Sequence, residues 1–391
     1  MRIVFICGAL AAGEYAASFA PNFAEAWPFV AAAAAFAALF GHGLAVRGWA
    51  HAAVFLAGAA LFLQASVGSE RLYREKPWMR GRRQYERLNA VPDGGMAGAV
   101  KADLSRRVGL GLDHDREAAA LNRAILLGER SRLPWRLKRA FVDSGTMHVF
   151  AVSGLHVMAV AGVLVFLLEL VLVPRRLAGA AVIPILWGYV WLVGFSPSAV
   201  RAALMASLCF LAPVCWWRSN LLRAWALTFL LIHLTRPLMV ANVGNALSFA
   251  VMLSIALMAD GGRRFGFRVS FVWVTVIAWA AGVPIGARVF GRVSPGGVLA
   301  NLVLIAAAEC TVVFGAVGVV ASFVSETVAA HFNNLSALCT RAMVGISEAV
   351  SRLPWATFEV PHWSLLQCAE WYALLALAVA LAFLRRSRNL I

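Results

Sequence analysis

The chain has 391 residues, of which 61% are hydrophobic and 14% are charged, and its mean hydropathy is +0.77. This composition excludes a soluble globular domain and predicts an all-α, polytopic integral membrane helix bundle. The formal net charge of +16 indicates an anionic partner, and composition alone leaves both nucleic acid and anionic membrane lipid open.

Three apolar segments occupy the start of the chain, at residues 3–20, 27–46 and 49–67. Each approaches the roughly 20 apolar residues that a membrane-spanning helix needs. The first segment also resembles a signal peptide with a small-residue cleavage site, but two further spans follow directly. We therefore expect an uncleaved first helix and an N-terminal three-helix membrane segment over residues 1–67.

A long polar and basic segment follows, over residues 68–145. Its first third interleaves Trp78 and Tyr85 with arginines that are candidates for contact with DNA: Arg71, Arg74, Arg80, Arg82, Arg83 and Arg87. Basic and aromatic side chains are the groups that single-stranded DNA grooves use, although a solvated arm on lipid headgroups has the same composition. Apolar residues at helical spacing predict a helix over residues 101–128, so this extracytoplasmic segment is expected to be largely helical.

The remaining chain, residues 146–391, is expected to form the main membrane domain. Apolar runs predict spans near residues 145–173, 177–195, 199–217, 222–235, 238–259, 269–290, 298–324 and 363–384. Residues 325–361 mix apolar and polar positions and predict an interfacial amphipathic helix. The whole chain then has about eleven transmembrane helices, some with broken or re-entrant ends that line a central path.

The basic residues of the short loops orient these spans, because Lys and Arg stay cytoplasmic. With the N-terminus inside, the arginines at 47, 175–176, 218, 223, 263–264 and 268 all fall inside and the long basic segment falls outside. Arg385, Arg386 and Arg388 then fall outside, against the rule. The side of the C-terminus is left open between an additional crossing and a last helix oriented by its neighbours.

The most unusual stretch is Asp-Ser-Gly-Thr-Met-His-Val-Phe-Ala-Val-Ser-Gly-Leu-His-Val at residues 143–157. It places His148, Ser153, Gly154 and His156 in the first turns of a predicted span. Polar groups at membrane depth usually face a bundle interior or a watery path and mark functional sites. We expect Ser153 and Gly154 to form a kink or close-packing point and both histidines to line a wall or gate.

Further polar residues recur in the later spans: Ser198, Arg201, Asn242, Asn245, Ser248, Ser294 and Asn301. Interhelical hydrogen bonds of Asn and Ser are ordinary contacts between membrane helices. Their repetition through one bundle, next to Pro and Gly residues that break helices, favours a polar path instead.

No residue pattern indicates a cofactor or a metal, and we predict no catalytic residue. The six cysteines are scattered without C-x-x-C or Cys/His ligand spacing, and we expect neither a structural disulfide nor a metal site. No Gly-x-x-x-x-Gly-Lys-Ser/Thr loop is present, so energy for transport is expected to come from another chain.

Taken in order, several of these elements resemble the ComEC competence family. They are Leu-Gly-Glu at 127–129, the Gly-Thr-Met-His-Val-Phe-Ala-Val-Ser-Gly-Leu-His element at 145–156, Pro-Ser-Ala-Val-Arg-Ala at 197–202, Leu-Ser-Phe at 247–249 and residues 294–301. The resemblance implies a multi-pass channel of the bacterial cytoplasmic (inner) membrane that imports single-stranded DNA during natural transformation. It also implies a separate DNA receptor, nuclease and motor ATPase, and leaves open whether the pore is one chain or a homodimer.

Members of that family usually carry an OB-like domain and a C-terminal metallo-β-lactamase-like domain. Residues 68–145 lack the alternating strands of an OB-fold, and the chain contains no H-x-H-x-D-H zinc cluster. We therefore expect the membrane core alone, without enzymatic activity of its own.

Two alternatives remain open at this stage. One is a channel or transporter for another anionic or polar solute. The other is an intramembrane serine hydrolase, because Ala-Val-Ser-Gly at 151–154 is close to the Gly-x-Ser-Gly of rhomboid-type proteases. His148, His156 or His233 would then act as the general base for Ser153.

Overall fold

A computed structural model describes residues 96–216, 221–235, 243–264 and 271–388. The three predicted N-terminal spans, the arginines at positions 71–87 and Asn242 lie outside the described residues. The α-helices are α1 Met96–Val108, α2 Arg116–Leu127, α3 Trp135–Asp143, α4 Gly154–Leu170, α5 Arg175–Leu192, α6 Pro197–Val214, α7 Leu221–Thr235, α8 Val243–Arg264, α9 Phe271–Phe290, α10 Gly296–Ala321, α11 Glu326–Ser351 and α12 Leu365–Arg388. Short 3-10 helices lie at Arg130–Arg132 and Met147–Phe150, and two strands, β1 Arg292–Val293 and β2 Phe358–Glu359, pair antiparallel.

The described chain is mostly helical, as composition predicts. Three helices, α6, α9 and α10, are long and apolar enough to cross a membrane, and shorter apolar helical stretches lie at Gly154–Leu170, Leu221–His233 and Val243–Ala259. The protein is therefore a helical membrane protein, while the number of about eleven crossings stays a prediction.

The chain divides into two compact units. The described part of the first unit is α7 with residues 243–256 of α8, and the second unit contains residues 96–216 and 257–388. In the first unit, Phe249 makes edge contacts with the stacked rings of Trp225 and Phe229, and Trp225 Nε1 donates to the Phe249 carbonyl at 3.0 Å. These aromatic contacts hold α7 against α8.

The main core of the second unit joins helices from both sides of residue 145. Fully buried Ile125 of α2 and Phe141 of α3 pack in one cluster with Leu304 of α10 and Met343 of α11. The polar segment predicted to be separate therefore contributes α2 and α3 to the same core as two later helices. The side of the membrane on which that segment lies stays a prediction.

A second core in this unit joins α4, α5 and α6. Val157 and Ala161 of α4 pack with Val182 and Leu186 of α5, and small residues of α6 complete the cluster: Ala199, Ala202, Ala203 and Ala206. Alanines at this spacing let α6 approach α4 closely, as in membrane helix pairs.

Helices α10 and α11 form an antiparallel hairpin around the turn at residues 322–325. Ser336 Oγ donates to the Thr311 carbonyl at 3.1 Å, and Asn333 lies opposite Gly318. The buried face of α11 is small and polar, with Asn333, Ser336, Thr340 and Ser347 buried, whereas Leu335 and Leu338 are exposed. A helix was predicted here, but its buried face is the polar one.

The predicted single helix over residues 101–128 is wrong in its middle. The chain breaks between α1 and α2, where Gly111 has a φ of 77° and Asp115 accepts from the Ala118 N–H at 2.9 Å as the N-cap of α2. An Asp cap and a left-handed glycine terminate helices that apolar spacing alone would join.

The β1–β2 pair fixes the chain on either side of the hairpin. Arg292 is opposite Glu359 and Val293 is opposite Phe358. Next to the pair, the Gly296 N–H donates to the Ala356 carbonyl at 3.0 Å. The start of α10 is thereby held against the segment that follows α11.

Candidate functional site

The first half of the 143–157 motif forms a turn that packs directly on the start of α10. Gly145 has a φ of 74°, a left-handed conformation that glycine adopts without penalty. A Cβ added at Gly145 would overlap the Cβ of Ser294, and one added at Gly297 would lie 3.4 Å from the Gly145 carbonyl oxygen. The 143–157 motif and the start of α10, which are about 150 residues apart in the sequence, therefore meet in one place.

Hydroxyl groups fill this contact. Thr357 Oγ1 lies 2.8 Å from the Asp143 carbonyl oxygen and 2.9 Å from Ser294 Oγ. Below it, Ser144 Oγ and Thr146 Oγ1 are 2.7 Å apart, and Thr146 Oγ1 is 3.3 Å from Ser347 Oγ. We call these five residues, Ser144, Thr146, Ser294, Ser347 and Thr357, the hydroxyl cluster.

The second half of the motif begins α4. Ser153 is the N-cap of α4: its Oγ accepts from the His156 N–H at 3.3 Å, and His156 Nδ1 accepts from the Ser153 N–H at 3.4 Å. This reciprocal pair is a capping box in which histidine takes the place of Glu or Gln. Ser153 and Gly154 were predicted to form a kink or a close-packing point; the structure shows no kink there, because α4 starts at Gly154.

This cap also fixes the Ser153 hydroxyl. Within the described residues, no hydrogen bond joins Ser153 Oγ to an imidazole nitrogen, and the His156 ring is 2% exposed. His148 lies in the 3-10 helix Met147–Phe150 and is exposed, so the two histidines do not share one helix.

The beginning of α6 lies against the same part of the motif. Ser198 Oγ donates to the Val152 carbonyl at 2.6 Å, and a Cβ at Gly154 would lie 3.6 Å from the Cβ of Ala202. Arg201 follows in the second turn of α6 and is 4% exposed. The residues Ser153, Gly154, His156, Ser198 and Arg201, singled out from sequence, therefore lie within the first two turns of two adjoining helices.

The Leu-Gly-Glu element at the end of α2 reaches this junction as well. Gly128 is the left-handed C-cap of α2, and a Cβ there would lie 3.7 Å from Val152 Cγ2. Tyr189 of α5 donates its hydroxyl to the Leu126 carbonyl at 2.8 Å. Four of the five elements that carry the family resemblance are thus contiguous within the second unit.

Asn301 lies in the second turn of α10 and is half-buried. Asn245 and Ser248 belong to the first unit. There His233 Nδ1–H donates to the Phe229 carbonyl at 2.7 Å, so its Nε2 accepts from Asn245 Nδ2 at 3.3 Å. Both Asn245 and His233 are 2% exposed, and Ser248 is half-buried.

Sequence reasoning missed most of the hydroxyl cluster. Ser144 and Thr146 stand inside the motif without being singled out, and Thr357 and Ser347 carry no local signal. Thr357 reaches Asp143 only because β2 pairs with β1. The one sequence signal for this cluster was a hydroxyl residue next to Gly and Pro at a helix start, and this signal identified Ser294.

Metal chemistry receives no support from the described ranges, where no group of three or more His, Cys, Asp or Glu side chains could hold a metal ion. What the junction offers is a set of hydroxyls, one buried arginine and one buried imidazole at the starts of apolar helices. Such groups hydrate or guide a polar solute through short, exchangeable hydrogen bonds.

Comparison with known proteins agrees with these elements. The chain is 28% identical over 144 residues to ComE operon protein 3 of Bacillus subtilis (strain 168), which covers 37% of this chain and 19% of that protein. It is 32% identical over 161 residues to Competence protein ComA of Neisseria gonorrhoeae, which covers 38% of this chain and 22% of that protein. The aligned part spans about a fifth of the length of each relative.

No solved structure matches the chain. The model of the Competence protein family matches residues 125–385, which include α2 from Ile125 onward and nearly all of the remaining described helices. That range contains the junction of the motif elements and the hydroxyl cluster. The chain belongs to the Competence protein family.

Proposed function

We propose that the chain forms the membrane channel through which single-stranded DNA enters a bacterial cell during natural transformation. The observation that carries the proposal is the contact of the 143–157 motif with the starts of α6 and α10. Membership of the Competence protein family and three membrane-length helices support the same function.

The chemistry of the junction suits such a substrate. A single strand brings one phosphate charge per nucleotide, and a buried Arg201 at a helix start offers a positive charge where water is scarce. The hydroxyl cluster is buried at Ser144, Thr146 and Ser347, so its part in the proposal is to hold the motif against α10 and α11.

The rival hydrolase receives less support from the geometry. A serine nucleophile needs a general base within about 3.2 Å of its hydroxyl. Ser153 Oγ instead accepts from a backbone N–H, and the ring nitrogen near it faces the Ser153 backbone. A channel for another anionic solute uses the same groups, so the substrate is decided by experiment.

Several parts of the proposal concern other molecules. We expect location in the cytoplasmic membrane with multiple crossings, contact with lipid, and a separate DNA receptor, nuclease and motor ATPase. The arginines at 71, 74, 80, 82, 83 and 87 remain candidate DNA contacts, and the pore is one chain or a homodimer.

The test uses a naturally transformable bacterium that lacks its own gene of this family and carries this chain instead. Fluorescent DNA that becomes resistant to added nuclease measures uptake, and membrane immunoblots measure the amount of protein. We expect uptake with the unaltered chain and its loss in Arg201→Ala and His156→Ala at unchanged protein amounts. Normal uptake in both variants would count against the channel.

Reconstitution separates DNA from other solutes. In a planar bilayer, the purified chain should give an ionic current that single-stranded DNA blocks, while double-stranded DNA of equal charge does not. A current that small anions carry unchanged in the presence of single-stranded DNA would favour a channel for another solute.

A further inference from the structure

Helix α10 has two unlike sides. At about 100° per residue, its exposed positions fall in one stripe, and all of them are apolar or thiol-bearing: Leu299, Val303, Ala306, Cys310 and Val320. The opposite side contacts α2 and α11, where a Cβ at Gly315 would overlap the Leu126 side chain.

Beyond that opposite side, the exposed surface is charged. Arg341 of α11 pairs with Asp115 at 2.6 Å. Arg136 of α3 lies 3.4 Å from Glu117 of α2 and 3.2 Å from Glu348 of α11. The side chains of Arg341 and Arg136 are 51% and 66% exposed.

The charged groups are spread along the full length of α10. Arg107 Nη1 donates to the Ser322 carbonyl at one end of the helix. At the other end Arg139 pairs with the carboxylate of Asp143, whose carbonyl accepts from Thr357. Along α11, Arg341 lies between Ser336, whose hydroxyl donates to the Thr311 carbonyl of α10, and Met343, which belongs to the same core cluster as Leu304 of α10. Arg341 is therefore level with the middle of α10.

Because one side of α10 is apolar and the surface beyond its other side is charged, lipid cannot cover both sides. The 26 residues of α10 span about 39 Å at 1.5 Å per residue, longer than a hydrocarbon core of about 30 Å. Charged pairs at the middle of such a helix are tolerated where they face a bundle interior or water. The apolar stripe suits lipid, and the charged surface does not.

We propose that helices α1 to α3 and one stripe of α11 form a water-exposed charged wall that runs through the membrane beside α10. The stripe contains Asn334, Arg341, Gly345 and Glu348, spaced 7, 4 and 3 residues apart and hence on one helix face, with the exposed Leu338 at its edge. Resting on the proposed function, this wall is the side of the path along which the phosphates of the strand pass.

The pairing of the arginines suits that task. A phosphate that passes Arg341 or Arg136 competes with a carboxylate already bound there, so each contact is weak and exchangeable. A mixed wall therefore lets a polyanion move, whereas a row of unpaired arginines would retain it.

The experiment measures thiol reactivity at matched depth. In a chain whose cysteines are replaced by serine, Gly345→Cys tests the wall and Val303→Cys tests the apolar stripe. Gly345 has open space around it, and the hairpin register places Val303 at a similar level on the other side. Asn334→Cys provides a second wall position in case one variant is poorly folded.

A cationic, membrane-impermeant methanethiosulfonate is applied to the chain in sealed vesicles, added outside in one preparation and loaded inside in another, so that both membrane faces are tested. Because thiols react as thiolates, which need water, Gly345→Cys and Asn334→Cys should react at least about tenfold faster than Val303→Cys. A single-stranded oligonucleotide tethered to a bulky protein, and so held in the path, should slow both wall positions.

Equal rates at wall and stripe, or slow labelling of both wall positions, would overturn the wall. Fast labelling that the held strand leaves unchanged would show that the strand passes elsewhere. DNA uptake by the same variants separates the two proposals. If a variant takes up DNA but the held strand does not slow the labelling of its thiol, the wall is rejected and the channel proposal is unaffected.

Discussion

Ser198 donates its hydroxyl proton to the carbonyl of Val152 across 2.6 Å and so ties the first turn of α6 to the residue before the α4 cap. Val152 is 2% exposed, so its carbonyl has little access to water. The bond therefore contributes more to the stability of the fold than a hydrogen bond at the surface would.

Replacement of Ser198 by alanine removes the donor and leaves a buried carbonyl. We expect a loss of about 1–3 kcal/mol in the free energy of unfolding, the cost of an unsatisfied buried group. Thermal unfolding in detergent, followed by circular dichroism, measures this loss. Ser254→Ala is the control, because Ser254 Oγ only adds a bond to the Ala250 carbonyl of its own helix; equal losses in both variants would contradict the assignment.

Gly145→Ala should be severely destabilising. The left-handed backbone costs an alanine about 1–2 kcal/mol, and its Cβ would overlap that of Ser294. Gly162→Ala is the matched control, since a Cβ at this position in α4 meets nothing within 4 Å. The double variant Gly145→Ala/Ser294→Gly removes the overlap and should recover part of the loss. No recovery would show that the backbone conformation alone is responsible.

The cap of α4 gives a prediction that separates a channel from a hydrolase. Ser153→Ala should cost about 1 kcal/mol, whereas Ser153→Thr retains a capping hydroxyl. DNA uptake should therefore survive in Ser153→Thr, and a fluorophosphonate probe should label neither this variant nor the unaltered chain. Labelling of the unaltered chain that Ser153→Ala abolishes would support the hydrolase.

Asp103 predicts a dependence of stability on pH. Hydrogen bonds from Arg107 and then Arg106 hold the pKa of the Asp103 carboxyl below its ordinary value. A lowered folded-state pKa stabilises the protein above the unfolded-state pKa, and this contribution disappears as pH falls through the folded-state pKa.

Thermal unfolding between neutral and acid pH tests this dependence. Asp103→Asn should lower the unfolding temperature at neutral pH and flatten its decline on acidification. Asp113→Asn removes the same charge from an exposed position nearby and serves as the control. Parallel curves for Asp103→Asn and the unaltered chain would refute the prediction.

The sequence predicts where apolar helices lie, because hydrophobic runs respond to the membrane wherever their neighbours are. The spans near residues 177–195, 199–217 and 269–290 overlap α5, α6 and α9 closely. Helix starts are less predictable: a serine that caps and a serine that kinks look alike until the His156 ring is seen to complete the cap.

Contacts between distant segments account for the rest. Which side of α11 is buried depends on α10. Gly318 of α10 leaves room for Asn333 of α11, and Gly315 leaves room for Leu126 of α2. Likewise, Asn245 was predicted to line a path, and its bond to His233 joins two helices of one unit. No local pattern encodes either partner.

The two-residue sheet has a consequence for membrane topology. Because β1 precedes α10 and β2 precedes α12, their pairing sets the starts of both helices at the same end. Cys368 and Trp371 of α12 donate to the carbonyls of Pro284 and Ala280, in reverse order along α9, so α12 also runs antiparallel to α9.

Along the chain, α9 runs towards the sheet, α10 away from it, α11 back and α12 away again. If α10 crosses the bilayer, α11 returns across it, and this adds one crossing to the number that hydrophobicity gives. The arginines at 385, 386 and 388 then fall on the same side as those at 263 and 264. If the N-terminus is inside, the C-terminal arginines are then inside as well, and their exception to the positive-inside rule disappears.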